Sequence, residues 1–395
     1  MTLAGALARC VGGVDAFLRD DWGRRPVHRH GGAPFDDLLS LADVDRLLTE
    51  STLRLPAFRL VKDGNTLPPS GYTKSGRTGS QPVTGMADPI RILERFRDGA
   101  TIVLQGLHRY WPELGRFCRE LEADLGHPTQ VNAYVTPPGS RGLDVHQDSH
   151  DVFVLQAFGG KQWDVWSPRP LGSAKPADGE APAISVTMEP GDAMYLPLGS
   201  PHAASTQTVL SGHLTVGVHT ATWGQLLAEV LDDMRTQPAF AEPLPAGYHR
   251  DPGGFATAVK ERLAELQRWL DGVDAAAVAD RRIRTFLTTR LPALGGALVD
   301  LARLDELTLE TPLRRRAASF CELRPEGDAV AAFLGDRELR LPARAEPAMR
   351  FVAEQAPGDP SFRPADMPAL DVDGRLVLAR RLVREGLLEL EPAPG

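Results

Sequence analysis

The sequence predicts a mainly β core with flanking helices, followed by a helical segment and a small unit of helix and hairpin. From residue 131 onward, short apolar runs are bounded by Gly and Pro: "VNAYVT", "DVFVLQAF", "KQWDVWS", "ISVTM", "AMYLPL" and "HLTVGVHT". Strands this short and regularly punctuated indicate an antiparallel sandwich or barrel. From "WGQLLAEVLDDM" to about residue 305 the chain becomes rich in Ala and Leu at helical spacing.

The first 130 residues are mixed. Ser40 and Asp43 in "SLADVDRLL" match a capping box that opens a helix. "ATIVLQGL" predicts a buried strand, and "WPELGRFCRELEADLG" predicts a helix with Gly126 as its C-terminal cap. Residues 62–85 are rich in Gly, Ser, Thr and Pro, and predict a long exposed loop.

The helical segment and the C-terminal region carry separate predictions. The apolar stripe of "FATAVKERLAELQRWLDGV" is of the kind that packs on a partner chain, so we expect a homodimer. A hairpin around Gly335 and Asp336, and the helix and strand in "DGRLVLARRLVREGLLEL", predict a winged-helix-like unit. We interpret Arg380, Arg381 and Arg384 as a solvated helix face, in preference to a nucleic-acid surface.

The length, net charge and cysteine content of the chain restrict the classes of function that it can have. A chain of 395 residues suits two or three domains, and 52 acids against 44 Lys and Arg exclude a global basic field for nucleic acid. The three cysteines, Cys10, Cys118 and Cys321, form no metal-binding or disulfide pattern and predict a reducing cytoplasmic setting. The N-terminus lacks the basic start of a secretory signal, and no apolar run predicts a membrane span.

The stretch "GLDVHQDSHDVFVLQAFGGKQWDVW" concentrates charge at the start of an apolar strand. In an extended strand His146 and Asp148 project on one face, and His202 follows the "EPGDAMYLPLGSP" segment 202 − 148 = 54 residues after Asp148. Two imidazoles and one carboxylate make the facial triad of non-haem Fe(II) oxygenases. The alternatives are a chance pair on an exposed strand and a histidine bonded to backbone in a turn.

Lys161 follows the Gly159-Gly160 turn and begins the next strand, on the same face as Trp163 and Val165. A lysine on an inward face carries a costly charge unless it meets an anion, and the distal carboxylate of 2-oxoglutarate would provide one. The alternative is that Lys161 caps an exposed turn with its face toward water.

"NAYVTPPGSRGLDVHQDSHDVFVLQAFGGKQWDVW" together with "EPGDAMYLPLGSPHAAST" resembles the JmjC-type cupin oxygenases, and among them the ribosomal-oxygenase branch. The resemblance implies a double-stranded β-helix, or jelly-roll, core with Fe(II) on His146, Asp148 and His202. It implies 2-oxoglutarate with its distal carboxylate on Lys161, and pocket-lining roles for Asn132 and Tyr134. The family often has a small hydroxylated residue where Gly217 stands, which is a departure in this chain.

The resemblance also implies a layout and a function. We expect a catalytic domain at 1–222 with its motifs at 132–217, a helical dimerisation domain at 223–308 and a winged-helix-like domain at 309–395. The expected activity is O2-dependent hydroxylation of a His or Arg side chain of a ribosomal protein. The net negative charge of this chain would attract the basic segments of such a substrate. The long 62–85 segment favours a protein over a metabolite as substrate.

Three alternatives stay open at this point. A hydroxylase of a peptide natural product would share every site residue, and an N-methyl-lysine demethylase would use the same iron chemistry. A non-catalytic cupin module would hold a structural ion, but closed zinc sites prefer four protein ligands.

Some further side chains near these motifs also carry expectations. We expect His150 near the pocket mouth, and His213 and His219 as hydrogen-bonded barrel residues. Trp163, Phe153 and Tyr195 are candidates for apolar walls of the site.

Overall fold

The computed structural model describes residues 5–140, 144–205, 208–358 and 361–391, so residues 141–143 of the motif region lie outside it. One compact unit contains the chain up to Thr220 together with the chain from Arg290 onward, and Ala221–Thr289 form a second unit. Among the described helices, none has the length and apolar character needed to cross a membrane.

Thirteen strands are described before residue 221. They are β1 (Val27–Arg29), β2 (Phe58–Lys62), β3 (Asn65–Thr66), β4 (Thr73–Thr78), β5 (Gln81–Ala87), β6 (Thr101–Leu104), β7 (Thr129–Thr136), β8 (Asp151–Phe158), β9 (Lys161–Val165), β10 (Ile184–Met188), β11 (Ala193–Leu196), β12 (His202–Ser205) and β13 (Ser211–Val218). The helices of the same part are α1 (Ala6–Val11), α2 (Val14–Asp20), α3 (Leu41–Thr49), α4 (Pro89–Arg97) and α5 (Pro112–Leu125).

These strands form two main antiparallel sheets. The larger has the order β1-β11-β8-β13-β7-β6-β2-β3, and the smaller has the order β10-β9-β12. Side chains of both sheets share one apolar cluster, made of Val152, Val154, Trp163, Val165, Met188, Met194 and Leu196. The other face of the large sheet shares a cluster with the helices, for example Leu155 and Val216 with Phe17 and Phe117. The prediction of a mainly β core with flanking helices is confirmed.

Local signals predicted the elements well. Ser40 Oγ accepts from the Asp43 amide while the Asp43 carboxylate accepts from the Ser40 amide, which is the predicted capping box. Helix α5 ends at Gly126, whose left-handed φ of 69° a glycine adopts without the steric cost of a Cβ. The six predicted strands correspond to β7, β8, β9, β10, β11 and β13.

The prediction of a long loop at residues 62–85 is wrong. The segment contains β3 and most of a hairpin between β4 and β5, with Thr78 paired to Gln81 across a turn at Gly79 and Ser80. A Gly-Ser pair between two extended runs, here Gly79 and Ser80, indicates a hairpin. The low apolar content of the segment led instead to the prediction of a loop. Tyr72, just before β4, is fully buried and attaches the hairpin to the core.

Four helices lie in the second unit: α6 (Trp223–Met234), α7 (Pro238–Ala241), α8 (Pro252–Asp271) and α9 (Ala275–Leu287). The remaining elements belong to the first unit: α10 (Ala297–Ala302), β14 (Leu313–Arg315), β15 (Glu322–Glu326), β16 (Ala329–Phe333), β17 (Glu338–Pro342), α11 (Glu346–Glu354), α12 (Val372–Arg384) and β18 (Leu388–Leu390). β16 pairs with β17 as the predicted hairpin, and α12 leads through Gly386 into β18.

Candidate active site

Three side chains predicted as ligands come together at the open edge between the two sheets. One ring nitrogen of His146, one of His202 and a carboxylate oxygen of Asp148 all lie within 4.8 Å of one another. Asp148 Oδ2 is 3.7 Å from His202 Nε2, and the two ring centroids are 4.3 Å apart. His146 and His202 also exchange backbone hydrogen bonds of 3.1 and 3.0 Å, so an isolated bridge connects two distant parts of the sequence.

Backbone carbonyls orient both imidazoles. His146 Nδ1 lies 2.8 Å from Asp144 O, and His202 Nδ1 lies 3.0 Å from Ser200 O. A ring that donates through Nδ1 keeps its lone pair at Nε2, which is the arrangement that binds metal. Burial, and then the neighbouring His146, lower the pKa of His202 and favour its neutral, ligating form. The donor set therefore fits a divalent ion held by two imidazoles and one carboxylate.

The loop before His202 is held by residues next to the other two ligands. Gln147 Nε2 donates to Gly199 O at 2.8 Å. Asp151 is 2% exposed, and its Oδ1 accepts from the Leu198 amide at 2.9 Å and from the Tyr195 hydroxyl at 2.8 Å. Asp151 thus stabilises the loop that leads into the third ligand. We infer that the Asp151 carboxylate has a structural function and is not a metal ligand.

A cavity extends from the three ligands between the sheets. Most of its exposed surface is apolar, as is usual for small-molecule sites, although more than half of the fourteen described lining residues carry a polar or charged group. The described lining residues are Val61, Thr101, Val103, Tyr134, His146, Asp148, Val152, Val154, Lys161, Trp163, His202, Ala204, His213 and Thr215. Of the three expected wall residues, Trp163 lines the cavity, whereas Phe153 and Tyr195 belong to the core on the other face of the large sheet.

Lys161 lies inside this cavity and is 4% exposed. Its Nζ donates to Thr136 Oγ1 at 3.1 Å, and Thr136 Oγ1 lies 3.1 Å from Thr101 Oγ1. Burial lowers the pKa of Lys161 to about 8, and no carboxylate of the described residues forms an ion pair with it. A buried ammonium that has one hydroxyl partner and no counter-ion among the described residues is costly, and a bound anion would offset that cost.

The two other predicted pocket residues lie in different surroundings. Tyr134 lines the cavity, and its ring stacks on His213 at 5.2 Å with an interplanar angle of 3°. Asn132 is on the same strand face but is not among the described lining residues. Its Oδ1 accepts from the Gly106 amide at 3.0 Å, which connects β7 to the turn after β6.

The sequence reasoning missed His213 and Thr101, which line the cavity, and Thr136, whose hydroxyl accepts from Lys161. His213 was expected to be a hydrogen-bonded barrel residue, but its Nδ1 is buried and has no hydrogen-bond partner among the described residues. Thr136 follows Tyr134 by two positions, so the strand period was a signal for it. Thr101 comes from a strand far away in sequence and had no such signal.

Gly217 allows the imidazole of His150 to approach strand β13. A Cβ at position 217 would lie 2.5 Å from His150 Nε2 and 2.6 Å from its Cδ2. His150 in turn stacks on His219 with ring centroids 5.4 Å apart. His150 is not among the described residues that line the cavity, although it was expected at its mouth.

We expect Gly217→Ala to destabilise the protein by about 1 to 3 kcal/mol, because the added methyl displaces the His150 ring. The same change should cost little in a His150→Ala background, where the ring is absent. Chemical unfolding of the four proteins of this double-mutant cycle measures the difference. An equal cost in both backgrounds would show that the close contact with His150 is not what requires glycine.

Comparison with known proteins shows what the chain resembles. Residues 107–226 match the JmjC domain family, and the match includes all three candidate ligands and Lys161. Residues 107–226 are therefore similar to JmjC domains, and the two-sheet fold and the geometry of the site agree with that similarity.

Particular relatives agree with this class. Ribosomal oxygenase 1 of Rattus norvegicus is 28% identical over 433 residues, covering 95% of this chain and 70% of the relative. Ribosomal oxygenase 1 of Gallus gallus is 28% identical over 306 residues, covering 70% of this chain but only 49% of the relative, so this chain spans about half of that protein. The crystal structure of Escherichia coli YcfD shares the fold, with a TM-score of 0.53 and 17% identity over 97% of this chain and 99% of that one.

Proposed function

We propose that the protein is an Fe(II)- and 2-oxoglutarate-dependent oxygenase that hydroxylates a side chain of a protein. The observation that carries the proposal is a single cavity lined by His146, Asp148 and His202 and also by Lys161, which has no carboxylate partner among the described residues. Bound Fe(II) and 2-oxoglutarate would supply O2 activation and the oxidation of a C–H bond. Related structures of YcfD were solved with cobalt and 2-oxoglutarate, which supports this assignment by analogy of fold.

The chain's own residues have defined tasks in this proposal. His146, Asp148 and His202 hold the metal on one side only, which leaves positions for cosubstrate and O2. Lys161 binds the distal carboxylate of 2-oxoglutarate, with the Thr136 hydroxyl beside it. The apolar walls, including Trp163, exclude water and so strengthen these charge interactions.

We propose a basic segment of a ribosomal protein as the substrate, with His or Arg as the modified residue. Relatives named as ribosomal oxygenases support this choice, and one relative, from Dictyostelium discoideum, is named as a bifunctional lysine-specific demethylase and histidyl-hydroxylase. The net charge of −8 favours a basic partner. Demethylation of N-methyl-lysine is therefore the second candidate.

We also propose that the second unit mediates homodimerisation, since Trp223, Leu227 and Leu263 expose large apolar side chains there. The elements from β14 to β18 are proposed to be a winged-helix-like domain, supported by the hairpin of β16 and β17 and the helix-to-strand turn at Gly386. The oligomeric state measured by light scattering tests the first part.

Incubation with Fe(II), 2-oxoglutarate, O2 and a set of ribosomal proteins should add one oxygen atom to one of them, as measured by mass spectrometry of peptides. The control omits 2-oxoglutarate. Formaldehyde release from a methyl-lysine peptide would favour the demethylase instead. Steady succinate formation with no modified protein would contradict a ribosomal-protein substrate while leaving the oxygenase assignment in place.

A further inference from the structure

A second group of two imidazoles and one carboxylate lies at the edge of the large sheet. His28, His30 and Asp192 offer ligand atoms that all lie within 4.8 Å of one another. His28 and His30 flank Arg29 at the end of the edge strand β1, so both project on one side, while the Arg29 guanidinium on the other side donates to Arg9 O. None of these residues is among those that line the candidate active site.

The carboxylate of Asp192 is a preorganised ligand. Asp192 is 1% exposed, and its two oxygens accept from the Gly31 amide at 2.9 Å and from the Glu189 amide at 3.1 Å. Burial acts to raise the pKa of Asp192, but these hydrogen bonds outweigh it and the net direction is down. Each oxygen still has a lone pair, and those lone pairs face the histidines.

The distances suit a metal as well as a hydrogen bond. His28 Nε2 is 3.3 Å from Asp192 Oδ2, and His30 Nδ1 is 2.9 Å from Asp192 Oδ1. Ligands about 2.0 to 2.2 Å from a tetrahedral zinc are about 3.3 Å from each other. The His28 distance matches that spacing and is longer than an ordinary N–H···O bond. The His30 side chain is 72% exposed, so water has access to the remaining position.

We propose that His28, His30 and Asp192 bind a divalent transition-metal ion of the zinc class. Imidazole nitrogens select such ions over Mg²⁺ and Ca²⁺, which prefer oxygen. The ion takes the place of the contacts between the ring nitrogens and the carboxylate, and each neutral imidazole keeps its one proton on the ring nitrogen that does not bind the ion. It joins the edge strand β1 to the turn before β11, and it stabilises the folded chain because the unfolded chain does not hold the three ligands together. This site is independent of the proposed oxygenase activity.

The test uses the full chain, free of any polyhistidine tag, carrying His146→Ala and His202→Ala to remove the other metal site. Calorimetric titration with Zn²⁺ should show one equivalent bound at micromolar or lower concentration. Titration with Co²⁺ should give the visible absorption of a low-coordinate ion. Adding His30→Ala should weaken binding at least tenfold and remove the absorption, and adding His249→Ala, an exposed histidine elsewhere, should change neither.

His30→Ala alters an exposed side chain, so the fold should be kept, and circular dichroism of the metal-free proteins checks this. In the His30→Ala protein the zinc-induced rise in melting temperature should also disappear. The proposal is overturned if the protein lacking the first site binds zinc only at millimolar concentration. It is equally overturned if His30→Ala and His249→Ala bind zinc alike.

Discussion

Replacing His146 or Asp148 by alanine lowers the rate of succinate formation from 2-oxoglutarate by at least about 100-fold. Loss of a group that merely orients a metal ligand already costs 10- to 100-fold in many sites, and these residues are proposed to be ligands themselves. Among the described residues only three protein ligands converge at this site. Each substitution removes one of them, and the two that remain bind the ion weakly. The measurement is succinate formation with limiting Fe(II), together with bound iron per chain.

His249→Ala is the matched control, because it also removes one imidazole but from an exposed position in the second unit. It should retain both iron binding and turnover. Unchanged turnover in the His146→Ala protein would contradict the assignment of the site. Iron binding by the wild-type protein without any O2-dependent succinate formation would instead favour a non-catalytic metal-binding cupin.

Lys161→Met raises the KM for 2-oxoglutarate by roughly 100-fold, because removing one partner of a buried ion pair costs on the order of 2 to 5 kcal/mol. Methionine keeps the length and apolar stem of the side chain, so the packing around position 161 is disturbed little. Lys175→Met, at an exposed position, is the control and should leave the KM unchanged. An unchanged KM in the Lys161→Met protein would place the cosubstrate anion elsewhere.

The pH dependence of the same interaction follows from the lowered pKa of Lys161. The amine of the free enzyme is charged below pH 8 and loses its proton as the pH rises through about 8. Binding of the carboxylate needs the charged form, so kcat/KM for 2-oxoglutarate should be steady below this pH and fall above it. Lys161→Met should lose this component of the profile.

The free energy of unfolding provides a second measurement of the lowered pKa. The charged form of Lys161 favours cosubstrate binding but lowers the stability of the cosubstrate-free protein. The pKa of Lys161 is 10.5 in its ordinary environment and about 8 in the folded protein, so the folded state binds the proton less well than the unfolded state. The buried charge therefore destabilises the cosubstrate-free protein below pH 8, and this penalty disappears as the pH rises from 8 to 10.5. Lys161→Met should be more stable than the wild type at pH 7, and the difference should shrink in that range.

Sequence reasoning found the candidate ligands from the period of two of a strand, but the prediction that they lie on a strand is wrong. In the structure His146 and Asp148 lie in the loop before β8, and only His146 forms an isolated β-bridge. His146 and Asp148 were predicted to point together, and Lys161 was predicted to share a buried face with Trp163 and Val165. In the structure all of β9 obeys this alternation, with residues 161, 163 and 165 buried. The helix caps at Ser40 and Gly126 were also predictable, because each cap depends only on residues a few positions away in the sequence.

Other features depended on contacts between distant segments. The carboxylate of Asp151 lies three residues after Asp148, yet it accepts from the Leu198 amide and stabilises the loop before His202 instead of facing the metal site. The hairpin of β4 and β5 has so few apolar residues that its composition resembled a loop. Its attachment through Tyr72 appears only in the folded chain.

The sequence by itself determined the apolar strands β6 to β11 and β13, the buried face of β9 and the residue types that form the site, because these follow from periodicity and local hydrogen bonding. Only the tertiary structure decided which faces meet. It brought Thr101 and Thr136 to Lys161 and placed His213 against Tyr134, and at the opposite edge it placed His28 and His30 against Asp192. The physical reason is that the order of strands in a sheet is set by burial and packing of the whole core, which no local pattern of residues contains.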